Sequence, residues 1–201
     1  MKINNLILLL SCISSLSFSQ TQQEVVDYFN SICRKSEYND DGSGRLKKWN
    51  KDIFIYVKGK KIDYLMSELQ SVINELNQII DPIHIRITND ELKSNFTVFF
   101  GSHDDYKKIL KYKDDLIDDN WGLATIYGYP NITYATLYVD IYRAKSVEAQ
   151  KHLLREELTQ CLGLMNDSYD YPESIFYQGW TETTKYAEID KKIIKMLYNN
   201  E

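Results

Sequence analysis

Two adjacent carboxylates, Glu156 and Glu157, stand in a stretch whose apolar residues recur at helical spacing, with His152 one turn before Glu156 and Gln160 one turn after it. On a wheel of about 100° per residue, Val147, Leu153, Leu154, Leu158, Cys161, Leu162 and Leu164 form one broad apolar arc. Glu157 falls inside that arc, Glu156 and Gln160 sit at its edge, and Glu148, Lys151, Arg155 and Thr159 take its border or the opposite side, so the helix reads as half-buried. A carboxylate turned into an apolar face is either paired by a structural partner or held ready as a general acid or base. His152 is one turn from Glu156 and within reach of it, although a single helix histidine is ordinarily a surface or hydrogen-bonded residue. His84 and His103 have no motif around them, and no nucleophile is evident.

The helix carrying these residues spans about 146–164, and the elements before it are arranged to support it. Residues 22–34 have the spacing of a short helix that packs outside the main sheet and leads into a polar loop, 36–44. Strand-like runs at 53–57, 83–87 and 96–100 flank a long amphipathic helix over 61–80, which Pro82 closes. Strand, helix, strand with a crossover of that length implies parallel pairing. A short helix is expected at 104–112, a solvated acidic loop at 114–120, and two further strands at 123–127 and 134–141, one of them antiparallel at an edge. A short SIFY segment, 174–177, and a last helix, 188–198, complete the chain. The fold class is mixed α/β (α+β), with a twisted sheet of about five strands.

Lys2, the apolar run from Leu6 and the small residues around Phe18 form an export signal over residues 1–19, cut before Gln20. A cut at Cys12 with lipid anchoring is the second reading. The product is expected in the periplasm or outside the cell, and no later run reaches the roughly 18–20 apolar residues of a spanning helix. The division is then 1–19 signal, 20–48 helical arm and loop, and 49–201 main domain. The net charge of −5 and the scattered basic residues exclude a nucleic-acid partner. Cys33 and Cys161 remain after processing, either paired in an oxidising compartment or buried as small apolar residues. Composition does not give the oligomeric state.

The segment from Glu156 to Asp167, EELTQCLGLMND, resembles the long zinc motif of metzincin peptidases, HExxHxLGLxH. The resemblance implies a zincin-like architecture over residues 53–198: a long helix, an active-site-type helix, a turn beneath the metal and a C-terminal helix. Glu157 would be the general base, with Gly163 at the sharp turn out of the helix. Glu156, Gln160 and Asn166, with Asp167 beside it, stand where the metal ligands would be. Ser174, Phe176 and Tyr177 would form the Met-turn-like segment, with Phe176 in place of methionine. Several secreted bacterial proteins of a family of unknown function have the same EExxQxLGLxND pattern, and this chain is similar to them.

Two amides and one or two carboxylates make a poor zinc site. An oxygen-rich set suits a hard divalent cation better, and no other cofactor is expected. Two functions follow from the resemblance. One is a pseudoenzyme whose cleft binds a peptide, glycan or protein partner; the other is a hydrolase using Glu157 as acid or base, with a hard cation or no metal. The tyrosines at 127, 129, 134, 138, 142, 169, 171 and 177 would then lie near the cleft, although strand packing alone explains most of them.

Overall fold

A computed structural model describes residues 21–36 and 44–199; the expected export signal and the alternative cut at Cys12 lie outside the described residues. Strands β1 (Ile53–Gly59), β2 (Ile85–Ile87), β3 (Phe96–Gly101), β4 (Gly122–Tyr127) and β5 (Tyr134–Asp140) form one five-stranded sheet in the order β2-β1-β3-β5-β4. Every pairing is parallel except β4 with β5, which is antiparallel and leaves β4 at the edge. The mixed α/β class, the five strands and the parallel crossover are as the periodicity dictates.

The long helix α2 (Asp63–Ile79) buries Leu65, Leu69, Val72, Ile73 and Leu76, spaced three and four apart, against the sheet and the helix α5 (Val147–Gln160). Helix α1 (Gln22–Cys33) is held at its start by a capping box between Thr21 and Glu24. It packs on α6 (Glu188–Tyr198), and Tyr28, Phe29 and Ile32 join the main core. The segment expected to pack outside is therefore outside the sheet but inside the core.

Region 114–120 departs from the expected solvated loop. It contains a short helix, α4 (Leu116–Asp119), after α3 (His103–Leu110), and Ile117 is fully buried against Phe99, Tyr106 and Tyr138. The cause lies 23 to 26 residues further on. Arg143 donates to the carbonyls of Ile117, Asp118 and Asn120, while Asp140 accepts from the Arg143 side chain, the Tyr138 hydroxyl and two backbone N–H groups. A cation distant in sequence thus orders an acidic stretch that looks solvated in isolation.

Helix α5 is capped by Ser146, whose hydroxyl accepts from the Ala149 amide. It stops at Gln160, four residues short of the expected end, and Gly163 turns the chain at φ +112. A Cβ at Gly163 would lie 1.9 Å from the Lys47 carbonyl oxygen, so both the backbone angle and the space require glycine. The carbonyls just past the helix end are also bonded: Trp49 Nε1 donates to Cys161 O at 2.9 Å and the Tyr198 hydroxyl to Leu162 O at 2.7 Å. Cys33 and Cys161 are free and buried, and burial pushes both thiols up, so they behave as apolar core residues.

Candidate functional site

Helix α5 is buried on nearly every side, which corrects the half-buried reading. The sheet takes its apolar arc, α2 takes a second flank and a cleft lies along a third. On the α2 flank, Arg155 is fully buried and paired with Glu75 at 2.8 and 2.9 Å and Glu68 at 2.8 Å, with its guanidinium 4.7 Å from the centre of the Tyr186 ring. Thr159 beside it donates to the Arg155 carbonyl. Hydrophobic periodicity placed both near the solvent side because it counts a charge as exposed whatever partner awaits it.

On the cleft flank, His152, Glu156, Glu157 and Gln160 are buried residues that line a cavity of about 360 Å³. The opposite wall is Asp119 to Ala124, where α4 runs into β4, and the floor and far rim come from Met165, Asp167 and Tyr177 to Thr181. Glu157 lies against the backbone of Gly122: a Cβ there would meet Glu157 Oε1 at 2.3 Å, so the missing side chain makes room for the carboxyl. His152 Nδ1 is 2.8 Å from the Thr183 carbonyl, which can only accept, so Nδ1 carries the proton. Its Nε2 is 3.4 Å from Glu156 Oε2. Burial lowers the pKa of His152 below the usual histidine value, although the Thr183 bond and Glu182 oppose that shift.

The residues that the motif resemblance puts at metal-ligand positions are only partly brought together. Gln160 donates its amide to Asp167 Oδ1 at 3.0 Å, and Glu156 faces the same cleft. Asn166 is turned away, its amide donating to the carbonyls of Ser31 on α1 at 3.1 Å and Asp167 at 2.8 Å, so Asp167 rather than Asn166 faces the cleft. With one amide bonded to a carboxylate and the other aimed at α1, the set does not fit zinc. Among the described residues, no group of three or more His, Cys, Asp and Glu could hold a metal ion.

The SIFY segment is held from below. Ser174 donates to Asp190 Oδ1 on α6 at 2.6 Å and is 2.7 Å from the Tyr28 hydroxyl on α1, while Asp190 Oδ2 accepts from the amides of Ile175 and Ala187. Burial raises the pKa of Asp190 to about 6 against the pull of these donors. Phe176 is fully buried, and its carbonyl accepts from Ser168 N while Gln178 N donates to Ser168 O, so Asp167 and Tyr177 are set side by side at the cleft floor.

Two rim residues escaped the sequence reading. Trp121 and Trp180 are 40% and 59% exposed and meet edge to face at 5.5 Å, with Trp180 also 6.4 Å from the His152 ring. Their signal was type: exposed tryptophan is rare, but nothing local distinguished these two from a core tryptophan such as Trp49. The tyrosines divide. Tyr138 is buried and Tyr134 is 2.8 Å from the Thr97 hydroxyl, whereas Tyr127, Tyr129, Tyr142 and Tyr169 are exposed and Tyr177 reaches the cleft. A second groove of about 270 Å³ continues along β4 and includes Arg34, Lys35, Arg45 and Lys47.

The molecule is thus a mixed α/β domain with a carboxylate-lined cleft between its main helix and an antiparallel edge strand. It belongs to the family described as proteins of unknown function DUF2927, whose model matches residues 22–201. No curated protein matches the chain by sequence. Among solved structures it is similar to one titled "Structure of Myroilysin", at 13% identity and TM-score 0.48, covering 77% of this chain and 83% of that one. A second, titled "Crystal structure of myroilysin", is 11% identical with TM-score 0.49, covering 85% and 92%. Among the described residues, no helix is long and apolar enough to cross a membrane.

Proposed function

We propose that the protein is an exported, non-catalytic relative of the zincin peptidases that receives an extended peptide segment of a partner in the cleft between α5 and β4. The observation that supports it most is the state of the ligand positions. Gln160 and Asp167 are bonded to each other and Asn166 to α1, yet the cleft beside them keeps a volume of about 360 Å³. A peptidase site that had merely collapsed would have filled that space. Strand β4 supplies the second requirement. Among the described strands it pairs with β5 alone, so its other edge offers backbone donors and acceptors to an added strand.

The domain proper is taken as 49–201, with 20–48 as the helical segment that buttresses it and 1–19 as the export signal. Glu156, Glu157, Gln160 and Asp167 form the polar wall, and Gly163, Ser174, Phe176 and Tyr177 hold its geometry.

The test uses the mature chain with pooled random pentapeptides, read by thermal melting and by mass spectrometry, with and without zinc or calcium. The expected result is a melting temperature raised by peptide, unmoved by metal or chelator, with every peptide intact. Cleavage that Glu157→Gln abolishes would replace this reading with the hydrolase, Glu157 acting as acid or base. A chelator-sensitive melt would restore a metal site, and no response to any peptide would overturn the binding cleft.

A further inference from the structure

The cleft is acidic within and aromatic at its rim. Asp119, Glu156, Glu157 and Asp167 line it, and no Lys or Arg is among the described residues that do. His152 donates its Nδ1–H to Thr183 O, which turns Nε2 towards Glu156.

The rim has the matching character. Trp121 and Trp180 are widely exposed on the same cleft, and indole faces carry partial negative charge that attracts cations. About 360 Å³ lies at the small end of ligand pockets, room for one long side chain rather than an oligosaccharide. Four carboxylates disfavour an acidic guest by like-charge repulsion.

Resting on the reading of the cleft as a peptide site, we propose that the side chain it accepts is cationic, an arginine or lysine of the bound segment. Its methylene stem lies along Trp121 and Trp180, and its charged head reaches towards Glu156 and Asp167. Arginine suits the site better than lysine, because its planar guanidinium both stacks on indole and forks onto a carboxylate.

The experiment titrates the mature chain with acetyl-Ala-Ala-Arg-Ala-Ala-amide and with its citrulline and glutamate counterparts, read by tryptophan fluorescence at low and high salt. Citrulline keeps the shape of arginine and removes the charge. The arginine peptide is expected to bind at least about tenfold more tightly than citrulline, with the margin shrinking in salt and the glutamate peptide weakest. Asp119→Asn, at an exposed position, and Glu156→Gln should each weaken the arginine peptide several-fold and leave the citrulline peptide unchanged. Equal affinity for arginine and citrulline would overturn the cationic guest while leaving the peptide cleft standing. Binding of the random pool without binding of any of the three probes would do the same. If neither the pool nor the probes bind, the peptide reading itself falls. Acetyl-argininamide binding as tightly as the pentapeptide would keep the cation and overturn the peptide as its carrier.

Discussion

Helix α5 has two charged flanks that meet the rest of the protein in opposite ways. Facing α2, a single arginine is enclosed by two glutamates and a tyrosine ring, all from this chain, at hydrogen-bond distance. Facing β4, acidic and amide side chains adjoin a cavity bordered by tryptophans, without a lysine or arginine among its described lining residues. Burying a charge costs several kcal/mol unless a partner offsets it. The first flank meets that cost with residues that hold α2 and α5 together, so its charges serve the fold. The second places acidic groups along an open cavity.

The contrast is broken most severely from the α2 side. Arg155→Met should remove about 3 kcal/mol of stability by leaving the Glu68 and Glu75 carboxylates without their guanidinium, as read by urea unfolding. Replacing Glu68 and Glu75 by glutamine in the same chain should recover part of it. If Arg155→Met is neutral, the pair does not hold the two helices together.

On the cleft side, Gly122→Ala drives a methyl group into the Glu157 carboxyl and should cost about 1–3 kcal/mol. Glu157→Ala in the same chain should relieve most of that, and the double-mutant cycle measures how firmly the carboxyl is seated. Additive losses would mean that the two do not touch in solution.

A smaller effect is expected from pH. His152 has a folded pKa below its unfolded value of about 6.5, so the unfolded chain binds more protons as pH falls through that range. Its contribution is present above about pH 6.5 and is lost progressively below it. His152→Gln should flatten that part of the stability profile by about 1 kcal/mol or less, and an unchanged slope would contradict a buried neutral imidazole.

The smallest stability change belongs to Trp180→Ala, about 0.5 kcal/mol or less because the ring is mostly exposed. It should nevertheless weaken the tryptophan response to peptide. A large loss of stability would make the rim structural instead.

Periodicity is a strong guide wherever burial follows from apolar spacing. The β1–α2–β2 unit, the edge strand and the final helix are readable for that reason, and so is the burial of Glu157. It fails where one polar residue is buried by another distant in sequence. Arg155 needs Glu68 and Glu75, α4 needs Arg143, and neither partnership leaves a local trace. The motif located the α5 site, including Asp167, but put Asn166 on a par with it. The competing acceptor at Ser31 belongs to a helix 135 residues earlier. Trp121 and Trp180 become neighbours through tertiary structure alone.

The tie from Tyr28 through Ser174 to Asp190 bears on the order of folding. It joins the first described helix to the last, with Tyr28 and Ser174 separated by 146 positions in sequence. The segment beneath the cleft therefore cannot be locked until nearly the whole chain has emerged, and closing so long a loop gives these contacts a high contact order. A nascent chain would hold the central strands and α2 before it held a finished cleft floor. That floor should form late, and cooperatively, once α1 and α6 have docked.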